Sequence, residues 1–246
     1  MSHPPTTPTR ATSARRPRRV SSTTRHVATI ALALGGAVGF SAGSAAQPGS
    51  TAPDSTSGHD PEEATALSVA RAFDERMTVW QAPDGRRTYA SHCRAAPGGC
   101  RARIALYARL IARLSLEQDV DPFLVAAVVL RESGLNPFAE GSVGERGIVQ
   151  LHPRGAGSDV EFVQSEPYRR RCRATVDACQ GEVLRVGIEL LANSIRRCGG
   201  VEAGLGMYNG GTCQSTSYSR RVLSERSRLL ELAKRGTPDA ERHSSR

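Results

Sequence analysis

The sequence predicts a mostly α-helical domain that follows an export signal and a flexible linker. Apolar residues recur at every third or fourth position in several long segments, whereas strand-like alternation is almost absent. A basic segment followed by an apolar one precedes them. The 246 residues are enough for one domain with appendages. We therefore divide the chain into a signal peptide (residues 1–46), a flexible linker (47–64), one helical domain (65–236) and a disordered tail (237–246).

The first 46 residues have the three parts of a secretory signal. A positive n-region, residues 15–25, precedes a 14-residue apolar h-region, residues 27–40. Ser44 and Ala46 then fit a small-x-small cleavage site before Gln47. The apolar stretch is short and rich in glycine and alanine, so a cleaved signal is favoured over a retained membrane anchor. The mature protein is expected to be exported, either to a periplasm or to the outside of the cell.

The formal net charge of +9 gives little support to nucleic-acid binding. Six arginines in the predicted signal carry most of it, and removing them leaves +3 for residues 47–246. Aromatic residues make up only 4% of the chain, which also argues against a nucleic-acid-binding surface. The cysteines and histidines do not follow a zinc-binding spacing, and we expect no metal and no organic cofactor.

All six cysteines lie in the part that is predicted to be exported, where an even number indicates disulfides. Several connectivities are possible from the sequence. We favour sequential pairs, because each closes a short segment that contains loop-forming residues. These pairs are Cys93–Cys100, Cys172–Cys179 and Cys198–Cys213.

Seven helices are expected between the linker and the tail. The clearest limits belong to the third, since Asp121 is a good N-cap, Pro122 suits a first helical position and Gly134 suits a helix end. The others are assigned from apolar residues at helical spacing. The predicted helices cover residues 64–79, 101–116, 122–132, 145–151, 181–197, 201–208 and 219–235.

Glu132, at the end of the third predicted helix, is the candidate catalytic residue. It continues the helical face that Val125, Val128 and Val129 make apolar. It also lies in the last turn, where the helix dipole disfavours a negative charge. Both effects favour the neutral carboxyl group and predict a raised pKa, as a general acid requires. From this helix alone, a solvated glutamate or one paired with an arginine is the favoured interpretation.

Two later segments contain residues suited to binding sugars. Gly144 and Gly147 stand three positions apart and precede Gln150, whose amide can both donate and accept hydrogen bonds. Tyr208 and Asn209 precede two further glycines. Each segment alone also has a plain structural explanation, namely a loop that leads into a short helix, and a core aromatic residue followed by a helix cap.

Together, these segments resemble the soluble-type lytic transglycosylases, which have a lysozyme-like fold. The family pattern E-S-x-x-N-P reads ESGLNP at residues 132–137, G-x-x-G-L-M-Q reads GERGIVQ at 144–150, and A-Y-N-x-G reads MYNGG at 207–211. Tyr218 fits the family's tyrosine near the start of the last helix. Four matches in this order span roughly residues 103–225 and make the resemblance specific.

The resemblance implies cleavage of the β-1,4 bond between N-acetylmuramic acid and N-acetylglucosamine in peptidoglycan, with formation of 1,6-anhydro ends. Glu132 would act first as acid and then as base. The 6-hydroxyl of the sugar would be the nucleophile, so the second carboxylate of ordinary glycosidases is not needed. Substrate-binding roles carry over to Gln150, Tyr208, Asn209 and Ser133, and the hydroxyl of Tyr208 is expected to orient the acid. Glycan strands are the expected partner.

Departures from the family pattern leave alternatives open. Gly141 stands where the family often has serine, with Ser142 displaced by one position, and Glu145 stands where a small residue is usual. A goose-type-lysozyme-like hydrolase would use a second carboxylate to position water. Glu145 and Glu140 are candidates for it, although solvated loop acids explain both more simply. An inactive peptidoglycan-binding or scaffold module is a further alternative.

Overall fold

The computed structural model describes residues 60–235, where the chain is mostly helical, as expected. The predicted signal peptide, residues 47–59 of the predicted linker and the predicted tail lie outside the described residues. The described part contains nine helices and one two-stranded hairpin. The elements are α1 (Pro61–Met77), β1 (Thr78–Gln81), β2 (Arg87–Tyr89), α2 (Ser91–Ala95), α3 (Cys100–Gln118), α4 (Pro122–Ser133), α5 (Glu161–Gln164), α6 (Glu166–Cys172), α7 (Val176–Cys198), α8 (Val201–Gly210) and α9 (Ser217–Arg235).

Helix α1 begins inside the segment that the sequence predicted as linker. The side chain of Asp60 caps it by accepting a hydrogen bond of 3.0 Å from the backbone N–H of Glu62, and Pro61 occupies the first helical position. Residues 61–64 are therefore helical. The predicted end at residue 79 was also wrong, because Thr78 already pairs with Tyr89 in the antiparallel β1–β2 hairpin.

Helix α4 is the central element of the core. Residues 124–129 are all buried in consecutive positions, so this helix is covered on every side over its middle turns. It packs against α1, α3 and α9. Asp121 caps its start, as expected, by accepting a hydrogen bond of 2.9 Å from the N–H of Phe123. No helix in the described residues is long and apolar enough to cross a bilayer.

Helices α7 and α8 pack closely because α8 carries small residues at the contact. A Cβ atom at Gly204 would lie 2.6 Å from Cα of Ile195, and one at Gly206 would overlap the carbonyl oxygen of Gln214. Helix α7 begins at Val176, earlier than the predicted residue 181. Close packing of α8 fixes the segment that carries the predicted tyrosine–asparagine block.

Three disulfides cross-link the described chain, and they join the sequential pairs that the sequence analysis favoured. The first closes the loop between α2 and α3, and the second links α6 to α7. The third connects the end of α7 to the segment after α8, across 15 positions. The bonds are Cys93–Cys100, Cys172–Cys179 and Cys198–Cys213.

A buried arginine in α3 joins the first disulfide loop to the turn that follows α4. Arg103 is only 1% exposed, and Nε donates to the carbonyl oxygen of Leu135 at 2.9 Å. Nη1 donates to the carbonyls of Ala96 (2.8 Å) and Pro97 (2.7 Å), and Nη2 donates to that of Cys93. Backbone carbonyls thus satisfy a charged group that would otherwise be costly to bury.

Candidate active site

The end of α4 places Glu132 beside the core. Val125, Val128 and Val129 are buried, as predicted, and Glu132 on the same face is partly buried. The helix stops at Gly134, which takes a left-handed φ of 58° and donates its N–H to the carbonyl of Leu130 at 3.1 Å. The position of the carboxyl group is therefore fixed by a buried helix that ends at a defined residue.

Tyr218, at the start of α9, holds the carboxyl group. Its hydroxyl donates to Oε1 of Glu132 at 2.5 Å, and the tyrosine is only 8% exposed. Burial raises the pKa of Glu132 above its usual value. The hydrogen bond from Tyr218 opposes this rise in the pKa, and the negative charge of Glu145 adds to it. The net direction is the raised pKa that the sequence predicted.

The tyrosine that orients the acid is therefore Tyr218, and the expectation for Tyr208 was wrong in this respect. The hydroxyl of Tyr208 donates instead to the carbonyl oxygen of Val149 at 2.8 Å, which ties α8 to the loop before it. Burial raises the pKa of Tyr208 well above its usual value, so this hydroxyl stays a donor. Both tyrosines lie near Glu132, but Tyr218 binds its carboxyl group and Tyr208 binds the loop at Val149.

Residues 139–151 form a tight loop, and the helix predicted at 145–151 is absent. Isolated bridges pair Arg146 with Glu140 and with Leu151. Positive φ angles at Gly144 (96°), Gly147 (85°) and Gln150 (52°) are incompatible with a right-handed helix. A Cβ atom at Gly147 would lie 3.0 Å from Val183 and 3.3 Å from Phe162, so the loop packs closely on the core there.

Gln150 faces the cleft with an acceptor rather than a donor. Its Nε2 donates to the carbonyl oxygens of Ala139 (3.0 Å) and Gly147 (2.9 Å), so the loop uses both amide hydrogens. Oε1 lies beside Gly141, and because both amide hydrogens are used, it is the group left to bind a ligand. An acceptor at this position suits the hydroxyl and amide hydrogens of a sugar.

A cleft of about 490 Å³ brings most of the predicted site residues together. Glu132, Gln150, Tyr208 and Asn209 all line it. Ser133 does not line it, which contradicts the expected substrate-binding role. Its hydroxyl lies 2.8 Å from the carbonyl of Ile148 and 3.1 Å from that of Val129, so it joins α4 to the loop. His152, Leu190 and Met207 also line the cleft, and no sequence pattern pointed to a site role for the first two.

Glu145 enters the same cleft, whereas Glu140 does not. A Cβ atom at Gly141 would overlap Oε2 of Glu145, so the glutamate occupies the space that a serine at 141 would need. The two departures from the family pattern are thus structurally linked. Glu140 is exposed and forms an ion pair with Arg146, as expected of a solvated loop acid. In the described residues no group of histidine, cysteine and acidic side chains could hold a metal ion.

A helical domain with a glutamate at the end of a buried helix, facing a cleft, is consistent with the lysozyme-like class. Residues 109–229, from α3 into α9, match the family model described as the transglycosylase SLT domain. This match is consistent with a lysozyme-like domain of the soluble lytic transglycosylase type. The family supports cleavage of glycosidic bonds in peptidoglycan, outside the cytoplasm, and the three disulfides fit an exported protein. No solved structure matches the chain at a significant level.

Proposed function

We propose that the protein is a peptidoglycan lytic transglycosylase, exported to the cell wall, with Glu132 as its general acid and base. It cleaves the β-1,4 bond between N-acetylmuramic acid and N-acetylglucosamine and leaves 1,6-anhydro ends. The observation that carries the proposal is the setting of Glu132. It is partly buried, has a raised pKa, is held by Tyr218 and lines the cleft of a domain that matches this family.

The reaction needs one proton donor and no water. Glu132 gives its proton to the glycosidic oxygen as the bond to the anomeric carbon breaks. The 6-hydroxyl of the same muramic acid then attacks that carbon and returns its proton to the carboxylate. Because Tyr218 donates to Oε1, we assign the transferred proton to Oε2. The acid is regenerated in its starting form, and the product is lighter by one water than a hydrolysed end.

The other cleft residues shape the sugar site. Oε1 of Gln150 accepts from a sugar hydroxyl or N-acetyl group, since the loop already uses both of its hydrogens. Asn209 is exposed at the end of α8 and lines the cleft, where its amide can both donate and accept. Tyr208 positions the loop through Val149.

A second candidate function, a muramidase that uses water, is favoured by the position of Glu145. This carboxylate lines the same cleft as Glu132 and is close enough to raise the pKa of Glu132. Ordinary inverting glycosidases use a second carboxylate as a base that activates water. In this alternative Glu145 takes that role and the products are reducing ends.

Digestion of purified cell-wall sacculi, followed by mass spectrometry of the released muropeptides, tests both candidates. Anhydro ends support the transglycosylase, and reducing ends alone would overturn it in favour of the hydrolase. Glu132→Gln keeps the shape of the side chain but removes the proton, and we expect it to lose about a hundredfold or more in rate. Glu117→Gln, at an exposed position in α3, is the matched control and should keep full activity.

A further inference from the structure

A second cavity, of about 780 Å³, shares the loop 139–151 with the cleft. We call it the arginine pocket, because four arginines from the loop, α6 and the following turn line it. Ala139 joins the two cavities, since it lines the arginine pocket while its carbonyl accepts from Gln150 of the cleft at 3.0 Å. The arginines are Arg146, Arg169, Arg170 and Arg173.

Only two of these arginines have a carboxylate partner among the described residues. Arg146 pairs with Glu140, and Arg170 pairs with Glu166 at 2.7 Å. Both glutamates also line the pocket, so four positive and two negative side chains leave it with two excess positive charges. The excess belongs to the remaining pair, Arg169 and Arg173.

Arg169 and Arg173 are held in place by uncharged groups. Nη1 of Arg169 donates to the carbonyl oxygens of Phe162 (3.0 Å) and Val163 (2.9 Å). The guanidinium carbon of Arg173 lies 5.1 Å from the ring centre of Phe138. Burial lowers the pKa of Arg169 most, the positive charge of Arg146 lowers it next, and the charges of Glu140 and Glu166 oppose this fall only in part.

The positions of these two side chains suit an anionic ligand. Fixing a guanidinium before a ligand arrives reduces the side-chain entropy that binding must overcome. The planar guanidinium matches the two oxygens of a carboxylate, and the remaining N–H groups are free to donate to it. Phe138, which is half-buried and tilted against Phe162 at 5.7 Å, adds an apolar wall beside the charge. Charge and apolar surface together favour an acidic peptide over a bare anion.

We propose that the arginine pocket binds the carboxylate groups of the short acidic peptides that peptidoglycan strands carry. The inference rests on the proposed function, because a glycan strand in the cleft brings its own peptides to the neighbouring surface. The shared loop places the pocket next to the sugar site. Binding there positions the strand without taking part in the proton transfer at Glu132, so Arg169 and Arg173 are substrate-binding residues.

Binding measurements with three ligands distinguish an acidic peptide from other anions as the ligand of the arginine pocket. The full protein is titrated by calorimetry with a synthetic stem tetrapeptide, with the same peptide carrying amidated carboxyl groups, and with a glycerol-phosphate oligomer. We expect the free acid to bind and Arg169→Gln/Arg173→Gln to weaken it by about tenfold or more, as for loss of hydrogen bonds to charged groups. Equal binding of the amidated peptide, or preferential binding of the phosphate oligomer, overturns the proposal.

A matched pair of arginines gives the control. Arg185 and Arg228 are exposed and line neither cavity, so Arg185→Gln/Arg228→Gln removes the same charge elsewhere. It should leave peptide binding unchanged. An equal loss in both double variants would show a non-specific effect of net charge and would count against the pocket.

Cleavage of two strand substrates provides the second readout. We expect Arg169→Gln/Arg173→Gln to raise KM by about tenfold on peptide-bearing strands, with kcat unchanged, and to leave strands stripped of peptide unaffected. Similar losses on both substrates contradict the proposal. If the wild-type protein cleaves neither substrate, the proposed function is wrong. The proposal for the arginine pocket is still tested separately, by peptide binding in calorimetry.

Discussion

The two walls of the cleft are built in different ways. The helical wall carries Glu132 at the end of α4, which Tyr218 at the start of α9 holds by a hydrogen bond, and the backbone of both helices is regular. The loop wall consists of residues 139–151, whose path depends on left-handed residues. At the helical wall, burial raises the pKa of Glu132 and the hydrogen bond from Tyr218 opposes this rise, while the charge of Glu145 from the loop wall adds to it. The loop wall sets the shape of the cleft and the hydrogen-bond acceptor that faces it.

We expect the two walls to differ most in how they tolerate substitution of a glycine. Each wall has one glycine with positive φ, Gly134 in the helical wall and Gly147 in the loop wall. Replacing Gly134 (φ 58°) by alanine strains the backbone by about 1–2 kcal/mol, but the nearest atom belongs to the exposed ring of His92, which can move. At Gly147 (φ 85°) the new methyl meets Val183 and buried Phe162. We therefore expect Gly147→Ala to lower the free energy of unfolding by about 3 kcal/mol or more.

Denaturant unfolding of both variants measures this difference, and sacculus digestion shows its effect on the cleft. Gly147→Ala should lose activity, whereas Gly134→Ala should fold and retain part of it. If Gly134→Ala lowered the free energy of unfolding more than Gly147→Ala, the loop wall would tolerate substitution better than the helical wall, which contradicts the prediction.

The connection between the walls should have a moderate effect. Ser133→Ala removes the hydroxyl that joins Val129 of α4 to Ile148 of the loop, at an expected cost of about 1 kcal/mol. Ser115→Ala is the control, because Oγ of Ser115 is buried without a hydrogen-bond partner in the described chain. Its removal should be neutral or stabilising. Equal destabilisation of the two variants, measured by chemical unfolding, would show that the link between the walls carries no stability.

The smallest expected effects are opposite shifts in the pH dependence of kcat/KM. The rate falls as pH rises through the pKa of Glu132, because the acid loses its proton. Tyr218→Phe removes a hydrogen bond that favours the carboxylate, so the pKa rises and the falling limb moves to higher pH. Glu145→Gln removes a neighbouring negative charge, so the pKa falls and the limb moves to lower pH. Shifts in the same direction would contradict the assigned roles.

The helical wall was largely predictable from the sequence, and the loop wall was not. Apolar spacing, Asp121 and Gly134 defined α4 and placed Glu132 at its end, since these signals act within one helix. Residues 145–151 were predicted as a short helix, but Gly147 and Gln150 have positive φ there. The left-handed turn at Gln150 depends on hydrogen bonds to Ala139 and Gly147. Such contacts join distant backbone positions and have no periodic signature.

The roles of the two tyrosines show the same limit. Tyr208 and Tyr218 were both found by their position in the family pattern, but the sequence assigned the acid-orienting role to the wrong one. Which hydroxyl reaches Glu132 depends on how α8 and α9 pack, and contacts between helices leave no signal in the spacing of residues along one helix. The hairpin and the short helices α5 and α6 were missed because elements of a few residues carry too little apolar periodicity.

Arg103 makes the end of α4, where Glu132 lies, depend on the Cys93–Cys100 disulfide. Three of the carbonyls it binds lie in the loop that the Cys93–Cys100 disulfide closes, and the fourth belongs to Leu135, just after Glu132. With the disulfide reduced, that loop gains conformational freedom and the guanidinium loses a fixed set of acceptors. We therefore expect full ordering of the acid only after oxidation. A newly made chain in a reducing cytoplasm would then have a less ordered Glu132, and the proposed activity would develop only once the disulfide has formed.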